Sequence, residues 1–88
     1  MSGYELSFKP SVEKDLRKIS RKFQEAIFDK IISLADQPRP NGAVKLTGSE
    51  FLYRIRSGEY RIVYEIDDGS KKLTIHYIRH RKDAYRDL

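Results

Sequence analysis

Apolar and polar residues alternate near the start of the chain, with Tyr4, Leu6 and Phe8 set against Glu5 and Ser7 in "YELSF". That period of two marks a half-buried strand. Pro10 ends the run and the spacing changes. Val12, Leu16, Ile19 and Phe23 recur at helical intervals, and Ala26, Ile27, Ile31 and Leu34 carry the stripe on, with lysines and arginines opposite. Ser11 stands where an N-cap belongs, with Glu13 and Asp15 in the first turn, where negative charge suits the helix dipole. Ser20 offers a second cap, which predicts two helices. "QPRPNG" at 37–42 stops the second, because its prolines and glycine cannot continue a helix. Alternation then returns in stretches centred on 51–55, 60–66 and 73–79, with "DDGS" as the turn before the last. The predicted order is β-α-α-β-β-β. This is a small α+β domain with two N-terminal helices packed on one face of a mainly antiparallel four-stranded sheet.

If Gly58-Glu59 makes a two-residue turn, Ser57 faces Tyr60, Ile55 faces Ile62 and Tyr53 faces Tyr64. The same register puts Arg56 directly opposite Arg61. Pairing Leu73 with Ile66 sets Ile75 against Tyr64 and Tyr77 against Ile62, so one face of the sheet is apolar and available to the helices. The other face gathers Arg54, Arg56, Arg61, Val63, Glu65, His76 and Ile78, with His80 at the strand end. Like charges directly opposite each other are destabilising. An anion between them removes that cost, and guanidinium forks suit phosphate because they are planar, permanently charged and bidentate.

Composition narrows the partner. The 88 residues form one domain, 1–88, with 39% hydrophobic and 35% charged residues, which places the chain among soluble folded proteins. It has no cysteine and two histidines, so disulfides and thiolate metal sites are excluded and neither a metal nor a cofactor is expected. The N-terminus lacks the basic flank and apolar run of a signal peptide, and no apolar stretch approaches the ~20 residues of a membrane span. The expected location is the cytoplasm. A net charge of +5 points to nucleic acid or an acidic protein. In the second half of the chain, basic residues alternate with aromatic and β-branched ones.

The tail "RHRKDAYRDL" adds chemistry to this charge. RNA can be cleaved when its own 2′-hydroxyl attacks the adjacent phosphate, without a metal. That reaction needs a base, cations on the non-bridging oxygens and an acid for the departing 5′-oxygen. His80 can take either proton role or simply cap the strand end. Arg81 supplies charge. Tyr85 can stack on an unpaired base or anchor the C-terminus to the sheet. Lys45 and Glu65 are further proton-transfer candidates or surface charges, and Lys45 and Lys82 add cations for RNA.

"KLTGSEFLYRIRSGEYRIVYEIDDG" followed by "HRKDAYR" resembles the RelE branch of the RelE/ParE toxin superfamily, over nearly the whole chain. The resemblance implies a type II toxin that acts as an mRNA interferase, a metal-independent endoribonuclease cutting mRNA in the ribosomal A site. By motif, Arg61 is implied as the phosphate-stabilising arginine, and Arg54 and Arg56 as the basic pair of the preceding strand. Arg81 is implied as the basic residue of the terminal motif and Tyr85 as the tyrosine orienting the substrate. Family members often carry lysines where Arg54 and Arg56 stand, which leaves the general base open and gives His80 a possible part in it. Further implied partners are the ribosome, mRNA and an acidic, RelB-like cognate antitoxin, with DNA contacted only through that antitoxin. Two alternatives share the fold: a ParE-like inhibitor of DNA gyrase, and an inactive relative that binds RNA or antitoxin.

Overall fold

Strand β1, Glu5–Phe8, opens the structure, a computed structural model that describes residues 3–84. Helix α1 follows at Pro10–Arg17 and α2 at Arg21–Asp36. Strands β2 (Val44–Lys45), β3 (Leu52–Ser57), β4 (Tyr60–Asp67) and β5 (Lys72–His80) complete the sheet, and a short helix α3 spans Arg81–Ala84. The α+β class and the two N-terminal helices match expectation. The sheet differs: it is five-stranded and mixed, in the order β1-β5-β4-β3-β2, with β1 parallel to β5. The extra strand, β2, has two residues, too few for alternation to reveal.

Both helices lie on one face. Val12 and Ile19, then Ile27, Ile31 and Leu34, pack on Ile55, Ile62, Tyr64, Ile66, Leu73, Ile75 and Ile78. Phe23 and Ala26, expected in the stripe, are exposed. The cap differs as well. Pro10 takes the first position of α1, where its missing N–H costs nothing, and Lys9 is the N-cap. Ser11 is thereby freed to donate from its hydroxyl to the His76 carbonyl, 3.1 Å away. One turn on, Asp15 Oδ2 accepts a 3.0 Å bond from the Ile78 amide. Since β1 pairs with β5 only as far as Ile75, α1 side chains take over the β5 edge beyond it.

The β3–β4 register is the expected one, with Arg56 opposite Arg61 and Tyr53 opposite Tyr64. Between β4 and β5 it holds only in part. Leu73 meets Ile66 and Ile75 meets Tyr64, but Val63 then pairs with Tyr77 and Ile62 with Ile78. A β-bulge leaves His76 as the extra residue. Such an insertion moves every following side chain to the opposite face. Ile78 therefore enters the core, at 2% exposed, rather than joining the polar face. Tyr77 and Arg79 take its place outside.

Candidate functional site

The face away from the helices is built in rows across the strands. Nearest the β3–β4 turn, Arg56, Arg61 and Arg79 stand abreast on β3, β4 and β5. In the next row Val44, Arg54, Val63 and Tyr77 align. Beyond them Glu65 reaches His76, whose Nε2 lies 2.9 Å from Oε1. Glu65, a proton-transfer candidate from sequence, and His76 thus satisfy each other.

Three adjacent guanidinium groups impose a local electrostatic cost, and Arg61 sits in the middle. Its Nη1 is buried and has no hydrogen-bond partner among the described residues. A buried, unpaired donor normally costs about 1–3 kcal/mol, more when charged. Arg79 stacks on Tyr77, with its guanidinium carbon 4.7 Å from the centre of that ring. Val63, 3% exposed but outside the main core, is the apolar floor beneath these long side chains. The group that fits is an anion with several oxygens, for which arginine forks are preformed donors.

The other expected residues divide. Arg54, Arg56 and Arg61 are brought together. Arg81 stands at the same end of the sheet: its amide donates to the Glu59 carbonyl at 2.7 Å, and its guanidinium lies 3.4 Å from the Glu59 carboxylate in the exposed turn. Lys82 is exposed beside it. His80 pairs with Tyr60 and meets that ring edge-on, 5.3 Å between centroids, while its Nδ1 accepts from the Lys82 amide. Tyr60 packs against the core, so His80 lies on the helix side and not among the arginines. Lys45 pairs with Tyr53, also a core-side residue, and leaves the arginine face for the same reason. Tyr85 lies outside the described residues. Arg79 was missed from sequence because strict alternation from Leu73 sends it to the wrong face.

An Arg39-centred network fixes the loop that borders this face. Arg39 makes two bonds to Asp68, the shorter 2.8 Å, and its Nε donates to the Tyr53 hydroxyl at 3.1 Å. Asp68 also accepts from the Tyr4 hydroxyl at 2.6 Å. The Arg39 and Tyr4 bonds hold the Asp68 carboxyl down to about 2. Tyr64 donates to the Pro38 carbonyl at 2.7 Å, and burial pushes its phenol up to about 12.

Comparison with known proteins bears directly on this arrangement. Residues 6–85 match the family model for the ParE toxin of the type II toxin–antitoxin system parDE. Toxin RelE of Mycobacterium tuberculosis is 30% identical over 84 residues, covering 94% of this chain and 87% of that protein. The chain belongs to the RelE/ParE toxin superfamily, on its RelE branch. Two solved RelE structures share the fold. The archaeal RelE–RelB complex from Pyrococcus horikoshii matches with a TM-score of 0.80 and 26% identity, covering 92% of this chain and 97% of that one. The intact E. coli RelBE complex matches at 0.75 and 28%, covering 88% and 95%. The arginine row is therefore carried by the sheet of a RelE-type toxin.

Proposed function

We propose that this toxin is an endoribonuclease that cleaves mRNA in the ribosomal A site and so halts translation. The observation that carries the reading is the central Arg61, held between Arg56 and Arg79 with a buried Nη1 that no described group satisfies. A scissile phosphate laid over the row would draw the Arg61 guanidinium, which is only partly buried, into a charge-assisted pair. In the step itself O2′ attacks phosphorus, the P–O5′ bond breaks, and the products are a 2′,3′-cyclic phosphate and a 5′-hydroxyl. The proton leaves O2′ and one arrives at O5′, so the net protonation of the protein is unchanged. Arginines stay charged throughout, so Arg56, Arg61 and Arg79 stabilise the charge growing on the non-bridging oxygens, while Arg54 and Arg81 orient the strand. Lys82 and the Tyr85 of the terminal motif would extend the contact to neighbouring nucleotides.

The partner that restrains the toxin is an acidic, RelB-like antitoxin. Support comes from the net charge of +5 and from the RelB complexes formed by the Pyrococcus and E. coli relatives. A ribosomal target places the activity in the cytoplasm; among the described residues no helix is long and apolar enough to cross a membrane. The match to a ParE family model supports a second reading, inhibition of DNA gyrase by binding. Single-turnover incubation with ribosome-bound mRNA separates them. The expected product is a fragment ending in a 2′,3′-cyclic phosphate; intact mRNA together with arrested gyrase would move the assignment to the second reading.

A further inference from the structure

Strand β2 covers β3 only opposite Tyr53 and Arg54, so the β3 edge from Ile55 to Ser57 is left without a β2 partner. A pocket of about 330 Å³ opens there, walled by Lys30 of α2, Asn41 and Gly42 of the loop, and Arg54, Arg56 and Arg61 of the sheet. Gly42 sits at φ 95°, and a Cβ on it would meet nothing within 4 Å, so the loop backbone borders open space. No carboxylate lines this pocket among the described residues. A second hollow continues along the edge past Lys30, Ser33, Arg56 and Ser57, where Asp29 is the carboxylate on its wall. Lys30 thus turns from the helix surface toward the arginines at the sheet edge.

We propose that the edge pocket is a second phosphate subsite for the RNA strand, taking the phosphate next to the one on the Arg56–Arg61–Arg79 row, with Lys30 as its cation from the helix side. The inference rests on the RNA-cleaving reading above. Arg56 and Arg61 belong to both the row and the pocket, so anions in the two places are held by contiguous cations. Consecutive phosphates of one strand recur at a fixed interval and suit such an arrangement. Acidic side chains of a protein partner have no fixed interval. The apolar anchors they would need lie elsewhere, in the groove lined by Phe8, Leu16 and Phe28.

The test is the affinity of the full chain for a short single-stranded RNA, carrying one 2′-deoxy sugar at the cleavage position, across a salt series. Lys30→Ala is compared with wild type and with Lys18→Ala, an exposed lysine at the end of α1. Loss of one phosphate contact on a single strand lowers the slope of log K against log salt by about 0.7. Lys30→Ala should show that drop and Lys18→Ala should not. Neutral methylphosphonate linkages placed one at a time should reveal one position that weakens wild type and leaves Lys30→Ala unchanged. That position should neighbour the one sensed by Arg79→Ala, whose side chain belongs to the row and does not line the pocket. A wild-type slope in Lys30→Ala would overturn the inference, as would a loss that a glutamate-rich peptide competitor reproduces with no linkage singled out. If wild type still cleaves ribosome-bound mRNA in that case, the subsite alone falls; if wild type neither binds nor cleaves RNA, both readings fall.

Discussion

At the scale of single residues, the charge on the sheet face and the chemistry asked of it can be separated by substitution. Arg61→Ala should leave the fold intact, because the side chain lies away from the helix-covered core, and should slow cleavage by ~10²–10³-fold, the usual loss for one oxyanion donor. Arg79→Ala should act in the same way, and circular dichroism beside single-turnover rates checks both. His80→Gln is expected to keep near-normal turnover with an unchanged pH profile, since the ring packs on Tyr60 across the sheet from Arg61. A titrating limb that vanishes in His80→Gln would return the histidine to the reaction. The arginines on β3 and β4 were legible in the sequence because a two-residue turn fixes their register outright. Arg79 was not, since its face depends on an inserted residue that leaves the alternation of apolar positions unchanged until Ile78.

At the scale of elements, the helices and central strands announced themselves through periodicity, while the edges of the sheet did not. A two-residue strand carries no period, and the parallel pairing of β1 with β5 is decided by tertiary packing. Capping was misjudged for a related reason: Ser11 and Asp15 look like helix-start residues but serve the exposed edge of β5. Asp15→Ala should accordingly leave the Ile78 amide without its acceptor and lower stability by about 1–3 kcal/mol. Denaturant titration would show this as a shifted midpoint with an unchanged slope. Replacing the buried Tyr64 by alanine should cost more, about 3–5 kcal/mol, through the cavity it leaves.

For the whole molecule, two tyrosine- and arginine-centred clamps hold Pro38 and Arg39 against the sheet, and their titration adds a pH-dependent part to its stability. Asp68 has its folded value lowered to about 2, so its contribution is present above the unfolded value of ~3.9 and is lost as pH falls toward 2. Tyr64 is raised to about 12, so its contribution is full below the unfolded value of ~10 and is lost as pH rises through 12. Thermal melts should therefore fall away at both extremes. Asp68→Asn should flatten the acid limb and Tyr64→Phe the alkaline one. The molecule presents a cationic face built on Arg56, Arg61 and Arg79, and the central claim is that this face cuts RNA on the ribosome. The most direct measurement is to induce the protein in cells and map new mRNA 5′ ends across the transcriptome, wild type against Arg61→Ala. The account predicts ends within codons of translated frames that appear with wild type and are absent with Arg61→Ala. Intact mRNA accompanied by gyrase-dependent DNA breaks, or the same ends from folded Arg61→Ala protein, would contradict it.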